Sequence, residues 1–380
     1  MTGTWFSKCS NFGGEEMNRS VVRFLTLLLL LPVLASACGG GTAAPTEPAV
    51  PEEAPPVEEP ADEGETPAPA EEEPVAEETG EVFRVAVVMP SAINDLAFSQ
   101  SMYDALVAIQ NEMGQENFEF AYSDGVFVVD DAAAALRDYA SQGYDLVIGH
   151  GSQYGGSLQE IAPDFPETSF AWGTTADTFG LDNVFAYEAA SDQGGYVNGV
   201  IAASLADDVL GVVGPIETGD AKLYVDGFVA GAAATNADVE TNVNYIGSFS
   251  DVALASEAAQ THVNAGADAL TGTAQMVVGA IGVAEENNIP WFGTQSSQTS
   301  LAPGIVVANQ VYDWTVVLNE IISQVNGGTL GGNSFIITLE NGGLVMDYNP
   351  DYELADDVRA LADETVQGII DGSITTGVSE

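Results

Sequence analysis

The sequence predicts an α/β protein built as two similar lobes, each a parallel sheet covered by helices on both faces. Three observations carry that expectation. Short apolar segments alternate with helical ones over residues 81–380, the pattern of strands joined by helical crossovers. The alternation runs twice, with the second series starting after Tyr187. The chain of 380 residues also exceeds what one hydrophobic core usually fills.

In the first series Arg84–Met89 (RVAVVM) is a continuous apolar run, the mark of a strand buried on both faces. A polar turn and a helix over Ala97–Met113 follow, then a strand at Phe118–Tyr122. Asp130–Gln142 reads as a helix that Gly143 closes. Leu146–Gly149 is the next strand, with a helix near Leu158–Ala162 and a strand at Ser169–Trp172. The second series runs helix Gly194–Leu205, strand Leu210–Gly214, helix Lys222–Ala234, strand Val239–Tyr245 and helix Ala253–Ala265. It ends with strand Ala269–Thr271, helix Val277–Asn287 and strand Ile289–Phe292.

Charge narrows the partners. Lys and Arg number 7 against 57 Asp and Glu, a net charge of -50. Nucleic acid and anionic lipid surfaces are excluded as partners, because both need clustered cations. With 46% hydrophobic residues and mean hydropathy +0.11, the chain still has the means to bury a core. Two cysteines and two histidines leave little for a disulfide framework or a zinc site. Neither a metal nor a cofactor is expected.

Residues 1–38 hold an export signal whose start is expected at Met17. Arg19 and Arg23 precede an apolar run from Phe24 to Leu34, and Ala35-Ser36-Ala37 offers a small-residue cleavage site. That run is too short to span a bilayer, which takes about 20 residues. Cys38 follows directly and resembles the lipid-modified cysteine of a bacterial lipobox, although Ala35 stands where leucine is preferred. The alternative is an ordinary signal with an incidental cysteine. Residues 39–80 carry 13 acids, no base and repeated proline, a composition that repels itself and forms an extended spacer. An acidic interaction tail is the other reading. Over residues 81–380 there remain 42 acids and four bases, Arg84, Arg137, Lys222 and Arg359, so the folded surface is acidic too. Self-repulsion at that density predicts stabilisation by salt and an ion-rich habitat.

In parallel α/β sheets ligands lie beyond the carboxyl ends of the strands. The segments of interest are therefore Pro90–Gln100, His150–Gly156, Gly173–Asp177, Pro215–Tyr224, Gly272–Met276 and Gly293–Ser300. Enzyme motifs fail there. Gly214–Gly219 has phosphate-loop spacing, but Asp220 stands where the lysine must be. Gly149-His150-Gly151-Ser152 is not a nucleophile elbow, leaving His150 as a base for Ser152 as a minor alternative to a pocket-lining histidine. His262 falls mid-helix and reads as partly exposed. The aromatics near strand ends are Phe98, Tyr154, Trp172, Tyr224, Tyr312 and Trp314. Each alone is more often core than ligand contact. Together on one cleft they would give faces for a flat ring, with Asn94, Asp95, Ser99, Gln100, Ser152, Gln153 and Gln295 to orient it.

Several motifs in order resemble the basic membrane protein family of ABC-transporter substrate-binding lipoproteins, which includes purine nucleoside receptors. They are Ile93-Asn94-Asp95-x-x-Phe98-Ser99-Gln100, the run Ala162–Phe170, Gly227-Phe228-Val229-Ala230-Gly231-Ala232, Tyr245–Asp251 and Leu301-Ala302-Pro303-Gly304. The resemblance covers about residues 82–375. It implies a type I periplasmic-binding fold: two doubly wound parallel-sheet lobes, a three-segment hinge and a ligand clamped between them. Residues 81–188 with about 295–325 would form lobe 1, and 189–294 with about 326–380 lobe 2. The expected hinge segments are Tyr187–Ser191, Phe292–Gln295 and a crossing after Val311.

In nucleoside binders of this family two aromatics sandwich the purine, and Phe98 and Tyr224 occupy the matching positions. The ionic contacts depart from the family. Gly293–Gln298 lacks the ribose-binding aspartate, Tyr312 takes the place of a lysine, and Gly156 that of the base-reading aspartate. Tyr312-Asp313-Trp314 resembles a D-W variant of other branches. The implied function is a monomeric, non-catalytic solute-binding lipoprotein that captures a purine, nucleoside or other small ring compound for a membrane ABC permease. A ligand-sensing receptor of the same fold, coupled to a signalling partner, is the alternative.

Overall fold

The continuous apolar runs become central strands because both of their faces are covered. In the computed structural model, which describes residues 82–378, the first sheet holds β1 (Phe83–Val88), β2 (Phe118–Ser123), β3 (Leu146–His150), β4 (Ser169–Gly173), β5 (Val184–Ala189) and β11 (Ser334–Ile337). Their order is β11-β5-β4-β3-β1-β2, all parallel. The second sheet holds β6 (Val209–Gly214), β7 (Glu240–Tyr245), β8 (Ala269–Gly272), β9 (Trp291–Gln295), β10 (Val306–Tyr312) and β12 (Leu344–Tyr348). It repeats the order, β12-β10-β9-β8-β6-β7, with β12 alone antiparallel. The expected export signal, the expected lipid-modified Cys38 and the expected acidic spacer lie outside the described residues.

Helices α1 (Phe98–Met113), α2 (Val129–Ser141) and α3 (Gly155–Ile161) follow β1, β2 and β3. Helices α5 (Gly219–Thr235), α6 (Val252–Asn264) and α7 (Val278–Glu286) follow β6, β7 and β8 in the same way. Alternate residues of one strand serve opposite faces. Val85 and Val87 join the central cluster with Leu106 and Phe185, whereas Val88 joins Leu136, Leu158 and Phe170 on the far face. In the second lobe Val212 and Phe292 enter the central cluster, and Val213 and Trp291 the outer one. One continuous core therefore runs between the lobes, with a further cluster on each outer flank.

The chain crosses between the sheets in three places. After β5 it enters α4 (Asp192–Leu205), which packs on α5. After β10 it returns through Asp313-Trp314 to α8 (Thr315–Asn326), which packs on α1 and β11. From β11 it crosses again through 338–343 to β12, and α9 (Asp356–Ile370) closes the chain against α4. Backbone bonds lace the crossings together: Ala190 N donates to Ile337 O at 3.0 Å and Asp313 N to Gly343 O at 2.8 Å.

Two expectations are corrected here. Phe292–Gln295 is not a crossing but the buried body of β9. The segment 295–325 also divides: β10 pairs in the second sheet while α8 packs with the first lobe, and β11 returns to the first sheet. Hydrogen-bond pairing, which spacing does not reveal, assigned these pieces. The other expected strands and helices form, with ends shifted by a few residues. Helix α5 starts three residues early, at Gly219, which has φ +51° and turns the chain into the helix.

Candidate functional site

The carboxyl ends of eight strands meet at one cleft, four from each lobe. From the first lobe come Pro90 and Phe98 after β1, Phe127 after β2, Gly151–Gln153 after β3 and Thr174 after β4. From the second come Thr218, Asp220 and Ala221 after β6, Phe249 after β7, Ala274 and Gln275 after β8, and Gln295 at the end of β9. They border about 450 Å³ of space, open solvent at the mouth included, of which about 30 Å³ has room for the centre of a water-sized sphere in this arrangement. The lobes touch across it, since Thr174 hydrogen-bonds the Asp220 carboxylate.

The first wall is aromatic and rigid. The ring of Phe98 stacks on His150 with centroids 3.9 Å apart and planes 7° from parallel. His150 Nε2 lies 3.2 Å from Phe98 O, which can only accept, so Nε2 carries the proton. Nδ1 then accepts from the Tyr187 hydroxyl at 2.7 Å. Burial holds this imidazole down to about 3, so it is neutral throughout the physiological range. Trp314 stands edge-on to His150 and donates to Ser101 Oγ at 2.9 Å, and Ser101 in turn donates to Phe98 O at 2.8 Å. With both ring nitrogens committed, His150 has none left to activate Ser152.

The second wall is polar and built on unusual backbone. Asp220 sits in the first turn of α5 and accepts from the Tyr312 hydroxyl at 3.1 Å. Burial pushes its carboxyl up from the ordinary aspartate range, against hydrogen bonds from Tyr312, Gln295, Thr174 and the Ala221 amide. Ala274 (φ +74°) and Gln295 (φ +73°) both hold left-handed backbone and both face the cleft. Such conformations cost about 1–3 kcal/mol each and gather at binding sites. Gln295 Oε1 and Gln275 Nε2 have no hydrogen-bond partner among the described residues. Asp220 is the one charged side chain among the described residues that line the cleft.

Of the residues singled out from the sequence, Phe98, Ser152, Gln153 and Gln295 line the cleft. Tyr312 stands behind Asp220 and Trp314 behind Phe98, both buried, so they brace the walls rather than form them. Asp95 is the internal acceptor of its own loop: Oδ1 takes the amides of Ala97 and Gln100, and Oδ2 that of Ser99 and the hydroxyl of Ser91. Ser99 pairs with Ser91, Gln100 accepts from the Leu96 amide, and Asn94 is exposed outside the cavity. Tyr154 is buried in the first lobe's outer cluster and donates to Val126 O at 2.6 Å. Tyr224 is buried as well, bonded to Thr271 at 2.7 Å and Asn198 at 3.0 Å.

Sequence reasoning missed Phe127 and Phe249, which follow the edge strands β2 and β7. The rule that ligands lie beyond strand ends applied to those strands equally and would have found them. Thr174, Thr218 and Gln275 lie inside segments already marked as strand ends but are not singled out there, and Asp220 is marked only as the residue standing where a phosphate loop needs lysine. Beside the cleft, sharing Ser152, Thr174 and Thr218, an open groove of about 1410 Å³ is lined also by Trp172, Asp177, Glu188 and Lys222.

Two lobes of repeated strand order, three laced crossings and a cleft at the strand ends define a type I periplasmic-binding fold. A structure of an ABC transporter solute-binding protein from Conexibacter woesei shares it, with a TM-score of 0.63 at 23% identity, covering 77% of this chain and 98% of that one. The model of the Bmp family, described as ABC transporter substrate-binding protein PnrA-like, matches residues 82–376, and the chain belongs to that family. Among curated relatives, the transcriptional activator protein med of Bacillus subtilis is 27% identical over 69% of this chain and 81% of its own length. A purine-binding protein of Brucella abortus is 26% identical over 68% of this chain and 73% of its own.

Proposed function

We propose that the protein is the lipid-anchored, extracytoplasmic capture component of an ABC importer, closing its lobes over one small ring-containing ligand of the purine or nucleoside kind. The observation that carries this reading is the composition of the cleft. Phe98, Phe127 and Phe249 offer faces to a flat ring, while Gln153, Gln275 and Gln295 offer amides to its edge. Both lobes contribute, so a bound ligand favours the closed arrangement by contacts that exist only there. The likeness to a purine-binding protein points the same way. Cys38 would carry the lipid, and the acidic segment 39–80 would hold the folded body away from the membrane, within reach of a permease.

A thermal-shift screen of purines, nucleosides, sugars and amino acids tests the ligand class. Ring compounds should raise the melting temperature at saturating concentration. A response to sugars or amino acids alone would overturn the proposal. The likeness to a transcriptional activator supports a second reading, a surface receptor that senses the same ligand for a signalling partner. Genes for a permease and an ATPase beside this one favour import, and a sensor kinase gene favours signalling.

A further inference from the structure

We infer that Asp220 sets the ligand class within this cleft: a ring compound carrying an amine or amidine nitrogen as hydrogen-bond donor, with anionic ring compounds turned away. The inference rests on the reading of the cleft as a ligand site. Asp220 is 7% exposed, lines the cavity and is fixed from behind by the Tyr312 hydroxyl at 3.1 Å. Gln295, 2% exposed, lines the same wall, and its Oε1 has no partner. Gln295 Oε1 is thus an unpaired acceptor beside a carboxyl that already accepts from Tyr312, Gln295, Thr174 and the Ala221 amide, and a buried acceptor without a donor is costly. A ligand that donates an N–H there relieves that cost for Gln295, and the neighbouring carboxylate attracts the same polarised or protonated nitrogen.

Charge argues in the same direction. No Lys, Arg or His is among the described residues lining the cavity, and Lys222 in the adjoining groove is engaged by Asp226. A phosphate or carboxylate on the ligand would meet Asp220 with no cation to neutralise it, inside a chain whose net charge of -50 already repels it. A protonated ring nitrogen would be drawn in by the same field and by the phenylalanine faces. The free donor Gln275 Nε2 adds a complementary requirement, an acceptor elsewhere on the ligand. A mixed donor and acceptor edge is what an amino-substituted heterocycle presents.

A capping aspartate with no part in recognition would behave differently, and matched probes separate the two. The full mature chain would be titrated calorimetrically with adenine against purine, 4-aminopyridine against pyridine, and adenosine against adenosine 5′-monophosphate. Each amine-bearing ring should bind about tenfold or more tightly than its partner lacking the amine, and the monophosphate should not compete. Asp220→Asn should erase the preference for the amine while ring binding persists. Tyr312→Phe, which keeps the carboxylate but removes its support, should reduce the preference in part, and melting curves of both variants would report that they fold. An amine preference that survives Asp220→Asn, or a monophosphate bound as tightly as its nucleoside, overturns the inference and leaves the ring-binding reading standing. If no ring compound binds the wild-type chain, the reading of the cleft falls and the inference with it.

Discussion

The two lobes have the same strand order and feed the cleft from corresponding loops, yet they hold their walls by opposite means. In the first, bulky side chains do it: Phe98, His150, Tyr187 and Trp314 pack as stacked and edge-on rings. In the second, Tyr312 supports Asp220, but the helices behind it are held by the absence of side chains. Helices α4 and α5 meet backbone to backbone, and a Cβ added at Gly199 or Gly231 would stand 2.1 Å from Phe228 O or Tyr196 O. Gly195 and Gly227 make the same kind of contact, at 2.4 Å and 2.2 Å from Tyr224 O and Asp192 O. The comparison teaches that one topology tolerates either a large-residue brace or a no-residue brace, provided each fills its space.

Substitution at the helix contact should break this comparison most severely. Gly231→Val cannot be relieved by a flexible side chain, because the obstacle is main chain, and it should cost about 4 kcal/mol or more. Chemical denaturation would measure it, and a cost under about 1 kcal/mol would remove the glycine brace from the account.

The aromatic brace is tested by pH. Since His150 is held down to about 3 from an ordinary 6.5, both folded and unfolded chains leave it neutral above pH 6.5, where its contribution is whole. Below that the unfolded chain takes up a proton the folded one refuses, so stability falls with pH down to about 3. The loss attributable to this residue is on the order of 4 kcal/mol. Comparing wild type with His150→Gln between pH 7 and 4 isolates it from the carboxylates. Parallel curves would show that the ring is not buried as described. In the second lobe His262 is buried, not partly exposed as its mid-helix position suggests; burial pushes it down and its Nε2 is bonded to Val212 O at 3.1 Å, so His262→Gln should show the same sign.

Phe127 and Phe249, one from each lobe, are not fully buried, so replacing either with alanine should leave the fold intact. Loss of a stacking face should weaken ligand binding by about tenfold. Unequal effects would reveal which lobe holds the ring first. Raising salt should raise the melting temperature, since the acidic surface repels itself and the four basic side chains of the folded body are already paired with carboxylates. A falling melting temperature would count against that surface as the source of strain. The smallest effect is expected at Gly282 of α7, where an added Cβ meets open space: alanine there should stabilise by about 0.5–1 kcal/mol.

Much of this could be read beforehand, for reasons that also explain the gaps. Runs such as RVAVVM and alternating helical segments identify central strands and their crossovers, because burial on both faces leaves few residue choices. β5 and β10 escaped because they adjoin the crossings, and a segment that turns toward a hinge reads the same as one that ends in a loop. Gly227-Phe228-Val229-Ala230-Gly231 was legible as a motif but not as a helix contact, since its partner glycines lie in α4. Tyr224 illustrates the limit on side chains. An aromatic five residues into a helix serves the cleft or the core according to the helix's rotation, and here its hydroxyl is taken by Thr271 and Asn198. Asp220 was noticed only for the lysine it displaces. Its role emerges once Tyr312, 92 positions away, is found bonded to it.

Lys222 gives the molecule an experimental handle. It is the single lysine of residues 81–380, and it borders the groove that opens into the cleft between the lobes. Within residues 81–380 amine-reactive dye chemistry therefore has one lysine side chain to label, beside the cleft, with the terminal amine as the competing site; if the lobes close on a ligand as proposed, a change in emission would register it. The same chemistry used to fix the protein to a sensor chip would obstruct the entrance, so immobilisation calls for a different attachment.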